Sequence, residues 1–206
     1  MLVRMEVREQ LLDAALRVYA EFGTRGATTR RIAQAAGVNE VTLFRHFGSK
    51  DALIREALGS GGPIVQAALD TKLPDKPVDP EAELTTFCRQ LYQVLVGARS
   101  IIRRCMGEFG EHTDTNQAVY RTPVLIANDL QLYLQRLRAA GLASGDWQPR
   151  AAAAMLMGVL FSDAMGRDCM PERFPSSEKD ALKQYVALFL RAIGVRTRHT
   201  QKPARR

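Results

Sequence analysis

The 206-residue sequence predicts an all-α protein built from an N-terminal three-helix helix-turn-helix domain and a larger C-terminal helical domain. Three observations point there. Apolar residues recur at helical spacing almost throughout, and no segment alternates as a strand would. Breakers such as Gly23, Gly37, Pro74, Pro77, Pro171 and Pro175 fall between the periodic stretches.

Taken in order, a first helix is expected from about Arg4 to Phe22, its apolar stripe formed by Leu11, Ala15, Val18, Tyr19 and Phe22 and its end marked by Gly23. Thr28 or Thr29 opens a short helix to Ala36. Gly37-Val38-Asn39 then leads into a second short helix ending near Phe47, and Ser49 can cap a fourth. The run Gly59-Ser60-Gly61-Gly62-Pro63 reads as a domain boundary. Further helices are expected near 64–73, 80–97, 99–109, 117–140, 149–166 and 177–193. The resulting division is residues 1–58, 59–195 and a basic, disordered tail at 196–206.

The net charge of +7 says less than it first does. Arg196, Arg198, Lys202, Arg205 and Arg206 all lie in that tail, and without them about +2 remains. Three widely spaced cysteines (Cys88, Cys105 and Cys169) do not form a disulfide framework and fit a reducing cytoplasm. The N-terminus lacks the apolar run of a signal peptide. The longest apolar stretch, 151–161, falls short of the roughly 20 residues that span a bilayer, so no membrane partner is expected.

The informative segment runs from Thr29 to Phe47. Two short helices crossing steeply need a small residue at the crossing, which Ala33 supplies, and a turn residue tolerant of positive φ, which Gly37 supplies. Ile32, Ala36, Val38, Leu43 and Phe47 can form a core beneath the pair. Asn39 can cap the second helix, leaving Glu40, Thr42, Phe44, Arg45 and His46 outside or at the rim. Such a helix fits the major groove of double-stranded DNA.

These residues carry a resemblance. Thr28-Thr29, Ile32-Ala33, Ala36-Gly37-Val38, the run Thr42-Leu43-Phe44-Arg45-His46-Phe47, and Ser49-Lys50-Asp51-Ala52-Leu53 occur in the order of the tetracycline-repressor (TetR) family, over roughly residues 8–58. The resemblance implies phosphate contacts by Thr28, Thr29 and Lys50, and base or backbone contacts by Asn39, Glu40, Thr42, Arg45 and His46. Arg30 and Arg31 complete the candidate surface. Arg45 is the leading base reader, since arginine can pair both acceptors of guanine. The family commonly carries tyrosine where this chain has Phe44, which can offer only an apolar or stacking contact. The implied function is a homodimeric repressor released from a pseudo-palindromic operator by a small-molecule effector. The alternative is a ligand-independent architectural or coregulatory DNA-binding protein.

For the C-terminal region, Tyr92, Arg103, Phe109, Tyr120 and Tyr133 are candidate effector-pocket residues, although for any single aromatic among them a place in the core is the better explanation. A dimer interface is expected from Leu156, Val159, Phe161, Leu182, Tyr185, Val186, Phe189 and Ile193, unless this stripe faces its own subunit's core. Cys105 and His112 match no compact metal-ligand spacing, and no nucleophile–base set or glycine-rich phosphate loop occurs. No enzyme activity, metal or cofactor is expected.

Overall fold

A computed structural model describes residues 6–59, 66–68, 70–108, 113–175 and 177–195; for residues 113–120 it describes the backbone. The glycine-rich break beyond Gly59, Phe109, His112, the Tyr120 side chain and the tail at 196–206 lie outside the described residues. Among the described residues the regular structure is helical. The helices are α1 (Val7–Gly26), α2 (Thr29–Ala36), α3 (Glu40–Phe47), α4 (Lys50–Gly59), α5 (Pro80–Gly97), α6 (Arg99–Gly107), α7 (Thr113–Ala139), α8 (Pro149–Gly166) and α9 (Glu178–Ala192), with a 3-10 turn at Pro171–Arg173.

The expected helix over 64–73 does not reach its predicted end. Residues 66–68 are helical, but the chain turns at Asp70 and 71–79 contain no helix. Pro74 disfavours helical backbone at Leu73, and Pro77 prevents recovery. In the other direction, α7 begins four residues earlier than expected and passes through Pro123.

The chain divides into two compact units, residues 1–69 with 97–123 and residues 70–96 with 124–206. In the first, α1 buries Leu11, Ala14, Ala15, Val18 and Tyr19 against Ile32 of α2, Leu43 of α3, and Leu53, Ile54 and Ala57 of α4. Cys105 of α6 closes the same core. Segment 97–123 groups here for a polar reason that helical spacing does not reveal. Glu108 accepts hydrogen bonds from the Thr24 amide (3.0 Å), the Thr24 hydroxyl (2.6 Å) and the Tyr19 hydroxyl (3.1 Å). Arg104 donates to the Glu21 carbonyl at 3.0 Å. Both contacts meet α1 where Gly23 takes φ = 67° and kinks the helix. A β-carbon there would sit 2.3 Å from a Glu108 carboxylate oxygen, so backbone freedom and close approach both require glycine. Burial alone would raise the Glu108 carboxyl, but the Thr24 and Tyr19 bonds and the Arg104 charge hold it below the usual carboxylate range.

The second unit starts with a capped helix. Pro80 occupies the first position of α5, the Asp79 carboxylate accepts from the Ala82 amide, and Glu83 accepts from the amides of Val78 and Asp79. Its other carboxylate oxygen accepts from the Tyr133 hydroxyl of α7 at 2.6 Å. Deeper in this unit, Asp163 of α8 is fully buried and fully partnered. It accepts from Tyr92 of α5 (2.9 Å), Tyr185 of α9 (2.7 Å), and both Nε and a terminal nitrogen of Arg167 (2.7 and 2.6 Å). Burial would raise this carboxyl too, but bonds from Arg167, Tyr185 and Tyr92 and the Arg167 charge hold it low. The same burial and the bond to Asp163 push the Tyr92 hydroxyl up to about 12.

Candidate nucleic-acid interface

Local chemistry fixes the α2–α3 pair at each end. The Thr28 hydroxyl oxygen accepts from the Arg31 amide and caps α2. At the other end Gly37 adopts the left-handed conformation (φ = 69°), its amide bonds the Gln34 carbonyl, and the Val38 amide bonds the Ala33 carbonyl. That paired closure satisfies carbonyls the helix would otherwise leave open. Two residues later the Asn39 side chain accepts from the Val41 amide at 2.8 Å and starts α3. The Ser49 hydroxyl then accepts from the Ala52 amide and caps α4.

With Ile32, Ala33 and Leu43 buried, the outward side of the pair is determined. Thr28, Arg30, Arg31, Asn39, Phe44, Arg45 and His46 are exposed, and Thr29, Glu40, Thr42 and Lys50 are half-buried. The candidate DNA residues therefore lie on or at the rim of one capped helical pair. Besides the caps at Thr28 and Asn39, others of them have partners within the fold. Arg31 donates to the Gly26 carbonyl at 2.8 Å and stacks its guanidinium 4.5 Å from the Phe22 ring centroid. The Lys50 ammonium donates to the Thr24 carbonyl at 2.8 Å, which anchors it while leaving further protons for an anion. Thr29 donates to Glu40 at 2.8 Å.

One outward residue escaped motif reading. Val41 is 72% exposed, on the same side of α3 as Phe44 at 48%. Its spacing from Leu43 is the available signal, since position 41 must point away if 43 points in.

The pocket candidates do not behave alike. The Tyr92 and Tyr133 rings are buried, and their hydroxyls are taken by Asp163 and Glu83. Arg103 lies half-buried on α6, while Phe109 and the Tyr120 side chain lie outside the described residues. The interface stripe is largely turned inward in the single chain. Leu156, Leu182, Val186, Phe189 and Ile193 are buried within their own unit, Tyr185 is bound to Asp163, and Val159 and Phe161 are half-buried. The apolar stripe is consumed by the subunit's own core. The exposed side of α8 and α9 instead presents Met155 (53%), Leu188 (58%), Ala151, Ala154 and Gly158.

Comparison with known proteins bears on this surface directly. The family model described as "Bacterial regulatory proteins, tetR family" matches residues 11–57, which span α1 from its second turn through α4. That segment is identified with the TetR family. Among its relatives, the HTH-type transcriptional repressor KstR2 of Rhodococcus jostii is 29% identical over 140 residues, 63% of this chain and 57% of KstR2. The repressor Rv1474c of Mycobacterium tuberculosis is 50% identical over 46 residues, 22% of this chain and 25% of that protein. The chain thus matches under two thirds of the length of either relative. A TetR-family regulator structure from Mesorhizobium loti superposes with a TM-score of 0.70 at 22% identity, covering 92% of this chain and 97% of that one. It shows that the likeness in fold extends past the matched N-terminal segment.

Proposed function

We propose that this chain is a TetR-family DNA-binding transcription regulator that reads a pseudo-palindromic operator through α3. The carrying observation is the α2–Gly37–α3 pair, capped at both helix starts, with Arg45, His46, Phe44 and Val41 exposed on its outer side. The match of residues 11–57 to the TetR model supports the same reading. Regulation is repressive in this proposal, in keeping with the names of KstR2 and Rv1474c. No catalytic step is assigned to the chain, which acts in the cytoplasm. No helix among the described residues is long and apolar enough to cross a membrane.

Two copies bind one operator, pairing through the exposed side of α8 and α9 around Met155, Gly158 and Leu188. The small residues at 151, 154 and 158 permit close helix approach. A small-molecule effector lowers DNA affinity by preferring the state that fits the operator poorly. Arg103 of α6 is its candidate charged contact. Coupling of about 1–3 kcal/mol would change affinity about 5–150-fold, and operator must weaken effector binding by the same factor.

Selection of bound duplexes from random DNA tests the reading. The expected product contains two inverted half-sites spaced by about one helical turn. A screen for release from that duplex then identifies the effector. Recovery of unrelated sequences would overturn the regulator assignment. A duplex that no small molecule releases would favour the ligand-independent alternative.

A further inference from the structure

The bond between Thr29 and Glu40 gives Thr29 a different role from the phosphate contact that its place in the motif implies. A threonine hydroxyl has one proton to donate, and phosphate oxygens are acceptors only. In this structure the Thr29 oxygen stands 2.8 Å from a Glu40 carboxylate oxygen, which can take part only as acceptor. The proton given to Glu40 cannot also go to a phosphate. Thr28 differs: its oxygen accepts from the Arg31 amide, so its own proton is still available to the DNA backbone.

Glu40 is the first residue of α3, where the amide ends of the helix favour a negative charge. The first turn of a recognition helix is also the part that reaches base edges. One bond from Thr29 occupies one of about four acceptor sites on the carboxylate, leaving the others for a donor in the groove. The major-groove donors are the exocyclic amines of cytosine and adenine. Adenine places its N7 acceptor beside the amine, which repels a second carboxylate oxygen. On the corresponding side cytosine carries only its C5–H. We propose that Glu40 reads the amino group of a cytosine in each half-site, and that Thr29 is the positioning residue that holds it there. This rests on the DNA-reading function proposed above.

The test uses the full-length chain and the duplex recovered by selection. Each half-site position is replaced by every base pair, and binding is measured for the parent and for Glu40→Gln, Thr29→Val and Thr29→Ser. The parent should prefer cytosine at one position per half-site by about 5–150-fold, the range of one good base contact. Glu40→Gln should shift that preference toward adenine, whose amine and N7 pair both amide atoms, and leave other positions unchanged. Thr29→Val should relax the same position several-fold, Thr29→Ser should retain it, and Thr29→Val with Glu40→Gln should match Glu40→Gln alone. If Thr29→Val instead weakens all duplexes equally and reduces the salt slope by about 0.9, Thr29 is a phosphate contact and the proposal is overturned. An unchanged cytosine preference in Glu40→Gln would overturn it as well. A parent that retains no duplex above shuffled DNA would refute the DNA-reading function itself, a result distinct from either.

Discussion

Replacing Asp163 with alanine should destabilise the second unit severely while leaving the α2–α3 pair in place. The carboxylate is fully buried and accepts four hydrogen bonds, two from the Arg167 guanidinium and one each from Tyr92 and Tyr185. Its loss leaves a guanidinium and two hydroxyls without their acceptor. Removing one partner of a buried pair costs about 3–5 kcal/mol. The Arg167 side chain keeps 18% exposure and can recover some hydration, which favours the lower end for the pair itself. The orphaned tyrosine hydroxyls add about 1 kcal/mol each. A total near 5 kcal/mol corresponds to a Tm lowered by roughly 10–20 °C for a chain of this size. Circular dichroism melts of parent, Asp163→Ala and Asp163→Asn at neutral pH measure it, with the asparagine variant intermediate. The pH dependence has a definite sign. The folded carboxyl titrates below its unfolded value, so its stabilisation is present above about pH 4 and lost as pH falls through the folded value. The gap between parent and alanine variant should therefore narrow in acid. An alanine variant within about 1 kcal/mol of the parent at neutral pH would refute this account of the network.

Other expectations follow from the same geometry. Leu188→Glu places a charge on the exposed side of α9 and should yield a folded monomer with weak operator binding by sedimentation, whereas Phe189→Glu, at a 3% exposed core position, should fail to fold. A folded Phe189→Glu monomer beside an unaffected Leu188→Glu dimer would reverse that assignment. Val41 should contact a thymine methyl: replacing one thymine per half-site with uracil should cost the parent about fourfold and cost Val41→Ala nothing, and equal losses in both would exclude the contact. Lys50→Ala should weaken all duplexes alike and lower the salt slope by about 0.9, measured by binding at several salt concentrations; an unchanged slope would remove Lys50 from the phosphate contacts.

The sequence made the α2–α3 pair legible because its determinants are local. Caps at Thr28, Asn39 and Ser49, the positive φ at Gly37 and the inward set Ile32, Ala33 and Leu43 all act within a few residues of one another. Polar pairs distant in sequence were not legible. Glu108 meets Thr24 across 84 residues, and Asp163 gathers Tyr92 from 71 residues away; no periodicity encodes such pairings. The same blindness applies to the stripe on α9. Leu182, Val186, Phe189 and Ile193 announce an apolar face, but helical spacing does not say whether that face meets its own core or a second copy. Tyr92 and Tyr133 fell to a related ambiguity, since a tyrosine suited to orient a ligand is equally suited to bind a buried carboxylate.

The central claim is that α3 confers sequence-specific DNA binding, and a single ratio tests it most directly. Affinities of the full-length chain for the selected duplex and for a shuffled duplex of equal composition are measured at about 0.15 M salt, where non-specific electrostatic binding is partly screened. The account predicts a ratio of about 10³ or more for the parent. Arg45→Ala should reduce it through loss of affinity for the selected duplex alone. A parent ratio near one would contradict the claim, whatever the absolute affinity.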